Sequence, residues 1–140
     1  MKNSRYGFGF IAILVLICAV GCGDKIKFGG KVTFSDDGSP LTAGTVVFAT
    51  DTLEARGSLQ ADGTYKMSSD KEGDGLPPGK YKVYIRDAYT YERVGTAENA
   101  TDVSVALIDS KYSSPNSSDL ECEVSSSKRT YEFKVDRPQK

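Results

Sequence analysis

The 140-residue chain contains no histidine and no tryptophan. Without histidine it lacks the side chain that titrates nearest neutrality and the commonest zinc ligand. Ser–His and Cys–His nucleophile pairs are excluded, and no Gly-x-Ser-x-Gly elbow is present to supply another route. Cysteine is scarce: Cys18 lies inside an apolar N-terminal run, Cys22 ends it, and Cys122 stands alone. A fold with no disulfide framework must rest on its packed core. A large excess of charge of one sign is missing too, with 18 basic against 19 acidic side chains and a net charge of −1. With no basic stripe to displace phosphate counterions, a nucleic-acid partner is excluded. Helical periodicity is absent over any ten residues, and there is no internal repeat.

The N-terminus is the first thing that is there. Lys2 and Arg5 precede an uncharged apolar run over residues 8–20, which closes on Ala19-Val20-Gly21-Cys22. A run this short falls below the roughly 20 apolar residues of a membrane-spanning helix. A basic start, a short apolar centre and small residues at the end describe an export signal. Ala19-Val20-Gly21-Cys22 also resembles the lipobox of bacterial lipoproteins, with Ala19 where that family usually has leucine. The resemblance implies cleavage before Cys22, a diacylglycerol on its thiol and an acyl group on its new amine. Each buried methylene of such an anchor contributes about 0.8 kcal/mol. The expected organisation is a signal peptide (residues 1–21), a lipid-anchored tether (residues 22–27) and one domain (residues 28–137). About 120 residues suffice for one core and are too few for two.

Beyond the tether the pattern has period two. Ile26, Phe28, Val32 and Phe34 share one parity, interrupted at Gly29-Gly30, where a bulge is expected. Residues 45–50 form a nearly continuous apolar run, the mark of an interior strand. Leu59 points inward from a weak strand, and Asp62-Gly63 is a hairpin turn into Tyr65 and Met67. A loop over residues 70–79, rich in glycine and proline, leads to Tyr81, Val83 and Ile85. Residues 89–102 show no clean period, Val103, Val105 and Leu107 outline a short strand, and residues 110–119 form a serine-rich loop. Leu120, Cys122 and Val124, then Tyr131, Phe133 and Val135, give the last two strands. Short strands at regular spacing between Gly/Pro turns predict an all-β antiparallel sandwich. Its core is expected to hold Phe34, Val46, Phe48, Tyr65, Tyr81, Val83, Ile85, Leu120, Val124, Tyr131, Phe133 and Val135.

Five stretches carry a family resemblance. Gly30-Lys31-Val32-Thr33-Phe34 is followed by Gly38-Ser39-Pro40-Leu41 and Gly44-Thr45-Val46-Val47-Phe48. Asp62-Gly63-Thr64-Tyr65 and Leu76-Pro77-Pro78-Gly79-Lys80-Tyr81 come next. Together they resemble the carboxypeptidase regulatory-like domain of small bacterial lipoproteins. The resemblance implies a transthyretin-like, Ig-like Greek-key sandwich of about seven strands. Residues 87–119 exceed the minimal domain. The shared residues are turn and core positions, so they speak for fold and are almost silent on function.

The candidate sites are few. Cys22 is the lipidation site. Tyr84, Tyr89 and Tyr91 flank the irregular segment, and Tyr84 has the parity opposite to Val83 and Ile85. Exposed together, the three could stack on sugar rings or anchor a protein partner; buried, they would cover the edge of the sandwich. Asp70, Glu72 and Asp74 alternate ahead of Gly75 like the start of a calcium loop, but position twelve is Tyr81 instead of a glutamate. The loop is therefore expected to be structural, with its acids facing water and Asp74→Asn changing stability little. Cys122, beside Leu120 and Val124 in parity, is expected in the core. No catalytic residue, metal or cofactor is assigned. Two Asn-x-Ser/Thr sequences, at Asn99 and Asn116, are coincidental in this setting. The expected function is a non-enzymatic protein of the bacterial cell envelope, held to a membrane through its N-terminal lipid. It would act as a structural or protein-binding module with envelope proteins or glycans as partners. The alternative is a carbohydrate- or solute-binding module using the loop aromatics.

Overall fold

Period-two alternation decides which side chains meet in this molecule, and the result is two facing sheets. The structure, a computed structural model, describes residues 24–139. Nine strands form: β1 (Gly29–Phe34), β2 (Thr45–Ala49), β3 (Glu54–Ser58), β4 (Thr64–Lys66), β5 (Gly79–Arg86), β6 (Tyr89–Val94), β7 (Thr101–Ala106), β8 (Leu120–Val124) and β9 (Thr130–Val135). A short 3-10 helix (Ser110–Ser113) precedes β8. One sheet has the order β4-β1-β9 and the other β3-β2-β5-β8. Strands β6 and β7 pair only with each other. The chain changes sheet after β1, β3, β4 and β8, which makes a seven-stranded Greek-key sandwich with an added two-stranded ribbon. Among the described residues no helix is long and apolar enough to cross a membrane.

The inward parities interlock as an aromatic core. Phe48 sits at its centre, with ring centroids of Phe28, Tyr81, Phe133 and Tyr65 at 5.5, 5.8, 5.9 and 6.4 Å. These spacings lie within the range over which aromatic pairs attract beyond their area burial. Val32, Val46, Val83 and Val135 are fully buried around them. Ten of the twelve expected core residues are buried. The other two lie where the sandwich opens. Leu120 is half-buried and packs on the core from the start of β8. Tyr131 keeps the inward parity but is 37% exposed, its ring tilted against Phe133 and covered by the Lys128 ammonium.

Three local expectations change. Gly29 and Gly30 form no bulge: they pair in continuous register with Lys66 and Tyr65 on one side and Thr130 and Tyr131 on the other. Glycine is needed at Gly30 because the Tyr65 side chain crosses over it to donate its hydroxyl to the Tyr131 carbonyl at 2.9 Å. A Cβ on Gly30 would come within 1.8 Å of that carbonyl oxygen and 2.9 Å of the Tyr65 hydroxyl. Second, the Asp62-Gly63 hairpin closes through Gln60 N–H on the Thr64 carbonyl and a two-way backbone pair between Arg56 and Ser68, all at 2.8 Å, but its arms β3 and β4 are shared out between the two sheets. Third, β1 and β9 run parallel, from Gly29 opposite Thr130 to Phe34 opposite Val135.

That register gives the sandwich two distinct ends. The start of β1, the start of β5 and the β8–β9 turn share one end, because Gly79 faces Val124 and Gly29 faces Thr130. The ends of β1, β5 and β9 share the other, and the ribbon follows β5 from there.

Candidate interaction site

The ribbon is built by a sharp departure from β5. Asp87 takes a positive φ of 56°, a conformation uncommon for residues other than glycine, which swings the chain out of the sheet. Ala88 stays buried and accepts a hydrogen bond from the Leu107 N–H at 2.9 Å, closing the base of the ribbon. Strands β6 and β7 then pair through six residues, from Tyr89 opposite Ala106 to Val94 opposite Thr101. Below the base, Ile108 and Tyr112 insert into the core. The carboxylate of Asp136 fastens this segment to the end of β9. It accepts from Lys111 Nζ at 2.9 Å and Tyr112 Oη at 3.0 Å, and also from Ser35 Oγ. These bonds, Ser35 foremost, hold the Asp136 carboxyl down at about 2.

Above its base the ribbon is bare. Every residue of β6 is exposed, and of β7 only Val105 is partly covered. Tyr89 and Tyr91 project from one face, 40% and 65% exposed, their rings edge to face at 5.5 Å. The register puts Val94 and Val103, 54% and 46% exposed, on the other face. Both outer edges of the ribbon leave backbone N–H and C=O groups unpaired by any strand. A lone two-stranded ribbon is marginal by itself, and exposed aromatic and aliphatic side chains on it are features of a docking surface.

Tyr84 is not part of this surface. It does lie on the outer parity, as expected, yet it is 6% exposed. Its neighbour across the register, Val47, is fully buried on that same outer face. The Tyr84 hydroxyl donates to Glu54 Oε2 at 3.1 Å, and Glu54 also binds the Arg56 guanidinium at 2.6 and 2.8 Å. Arg56 thereby lowers the Glu54 pKa, while burial first and Glu54 second raise that of Tyr84. The sequence carried a trace of this: Val46, Val47 and Phe48 are apolar at both parities, so both faces of β2 need cover.

The acidic loop is also more than a solvated turn. Asp74 accepts backbone N–H bonds from Ser69 at 2.8 Å, Lys71 at 3.1 Å and Asp70 at 3.2 Å. Lys25 Nζ binds Asp74 at 2.6 Å and pairs with Asp70 as well. Lys25, followed by these amides, drives the Asp74 pKa far below the usual carboxylate range. An ammonium group of the chain itself therefore stands between the two carboxylates, and Asp74 organises the loop instead of merely facing water. Cys122 is buried, and desolvation, ahead of the charges around it, raises its thiol pKa. Cys22 lies outside the described residues.

Among the described residues no group of three or more Cys, Asp or Glu side chains is placed to hold a metal ion. A cleft of about 920 Å³ opens between the edges of β3 and β4, walled by Arg56, Gln60, Lys66 and Glu72. A smaller one of about 360 Å³ lies under the ribbon against Ala88, Tyr89 and Ile108.

No family model matches the sequence, and no curated protein matches it. Among solved structures the chain is similar to the major pilin subunit BcpA of Bacillus cereus, at 13% identity and a TM-score of 0.45. That similarity covers 82% of this chain and 30% of the pilin. It is also similar to a 9R-lipoxygenase from Cyanothece, at 15% identity and a TM-score of 0.35, over 79% of this chain and 16% of that one. The chain thus spans less than a third of the length of either, and neither protein's activity carries over.

Proposed function

We propose that this chain is a non-enzymatic module of the bacterial cell envelope, anchored through lipid on Cys22, that holds a protein partner with its β6–β7 ribbon. Its build would be that of the small carboxypeptidase regulatory-like lipoproteins. The observation that supports this most is the placement of the ribbon. Its faces are in solvent, it carries Tyr89, Tyr91, Val94 and Val103, and it leaves the sandwich at the end opposite the one where the N-terminus enters. A module of this kind offers a surface to a partner while the domain beneath stays rigid. The aromatic pair of Tyr89 and Tyr91 also fits the second reading, a glycan ligand, though the burial of Tyr84 removes one of its three aromatics.

The test is photocrosslinking in cells. A photoreactive amino acid at Tyr91 is expected to give a discrete protein adduct, and one at Asp51, at the other end of the sandwich, is expected to give none. Replacing residues 89–106 with a short Gly-Ser turn between Ala88 and Leu107 should leave the domain folded and abolish the phenotype of the intact protein. An adduct that glycan hydrolases collapse would favour the carbohydrate reading. Equal adducts at both positions would sink the ribbon as the interface.

A further inference from the structure

The segment that leads to Cys22 is not free. Ile26 and Leu76 exchange two backbone hydrogen bonds, N–H of Ile26 to O of Leu76 at 2.8 Å and the reverse at 3.1 Å. Gly75 makes room for this: a Cβ there would lie 2.1 Å from the Ile26 carbonyl oxygen, and its φ is +86°. One residue earlier, Lys25 is held by Asp70 and Asp74. The chain is therefore fixed to the sandwich from Lys25 onward. Between Cys22 and Asp24 an extended chain reaches at most about 7 Å.

Beside this fixed entry lies a groove of about 550 Å³, lined by Asp24, Lys27, Pro78, Ser126 and Arg129 among others. Lys27 and Arg129 have no carboxylate within ion-pair distance among the described residues. The opposite end of the sandwich carries Asp62, Asp87 and Asp109 outside any ion pair among the described residues, while Asp36, Asp37 and Asp136 there are paired with Arg137 and Lys111. In the groove Lys27 and Arg129 outnumber Asp24, so an anionic surface would favour this face over the second end, and at physiological salt such forces act over about 8 Å. The short reach from Cys22 keeps the groove within that distance.

We infer that the domain sits directly on phospholipid headgroups in one orientation, the groove at Lys27, Ser126 and Arg129 against the bilayer and the ribbon turned away from it. This rests on the lipid anchor at Cys22 proposed above. The occupant of the groove is the headgroup layer of the membrane that holds the anchor. The bound Lys25–Ile26 segment is the device that converts a flexible tether into a mount. The ribbon is then presented at the full height of the sandwich, a strand of eight residues standing about 26 Å.

The experiment uses the full lipidated protein in vesicles of phosphatidylethanolamine and phosphatidylglycerol that contain a headgroup-spin-labelled lipid. A fluorophore is placed on Ser126→Cys or on Val103→Cys, Cys122 being buried from the reagent. Quenching is expected to be several-fold stronger at residue 126 than at 103. A long Gly-Ser insertion between Gly23 and Asp24 is expected to remove most of that difference, and Lys25→Ala with Asp74→Asn to reduce it. Equal quenching at both positions in protein that floats with the vesicles would overturn the orientation and leave the anchor standing. Protein that fails to float would overturn both.

Discussion

Truncating Phe133 to alanine removes the ring that joins the two sheets. Phe133 is 2% exposed and stands in β9, opposite Val32 of β1. Its ring meets Phe48 edge-on at 5.9 Å, lies nearly parallel to Tyr65 at 6.2 Å, and touches Tyr131 at 4.7 Å. Losing a fully buried phenylalanine forfeits about 1.5–3 kcal/mol of transfer free energy. The cavity left behind adds to this, so the measured range for such truncations is about 3–5 kcal/mol. Three aromatic neighbours place Phe133→Ala toward the upper part of that range. A domain of this size has about 5–15 kcal/mol in total, so the loss takes a large share. Equilibrium urea unfolding of the chain without its first 22 residues is the assay. With m at about 2 kcal/mol/M, the midpoint should fall by about 2 M at unchanged m. Tyr131→Ala, at the open edge, should cost less. A loss at Phe133 of under about 1 kcal/mol would refute the core packing and the β1–β9 register with it.

Further predictions follow from the same contacts. Gly30→Ala should lower the melting temperature clearly, since its Cβ meets the Tyr131 carbonyl oxygen, and Tyr65→Phe should cost about 1 kcal/mol for the lost hydroxyl bond. Asp74→Asn should destabilise the domain in thermal melts and speed hydrogen exchange at the amides of Ser69, Asp70 and Lys71; unchanged exchange would contradict the hub role of Asp74. Asp37 and Asp136 both titrate at about 2 in the folded chain, below their ordinary 3.8. Depressed carboxylates stabilise above the unfolded value, so stability should be level down to pH about 4 and fall between there and pH about 2. Acid titration followed by circular dichroism checks it, and Asp136→Asn should flatten that fall.

The sandwich was legible because half-buried strands announce themselves. Tyr81, Val83 and Ile85 alternate with charged or polar residues, and so do Leu120, Cys122 and Val124, as a strand with one wet face must. The ribbon was not legible for the converse reason. Residues 89–106 face solvent on both sides, so little period is imposed on them: β6 reads as irregular chain, and of β7 only the alternation of Val103 and Val105 shows. Tyr84 was legible in direction and not in burial, since its cover comes from Glu54 and Arg56 on another strand. The bond of Lys25 to Asp74 joins residues 49 apart, a distance across which sequence pattern carries no signal. The parallel pairing of β1 with β9 was equally hidden, because alternation fixes which face a residue takes and leaves strand direction open.

The anchor on Cys22 is the claim on which orientation, display and location all depend. Intact mass spectrometry of the protein extracted from its native membranes measures it directly. The expected product begins at Cys22 and carries both a diacylglyceryl thioether and an amide-linked acyl chain on that residue, and a Cys22→Ala protein is expected to be left uncut or freed from membranes. An unmodified Cys22, or a Cys22→Ala protein cut at the same site and still held by the membrane, would contradict it.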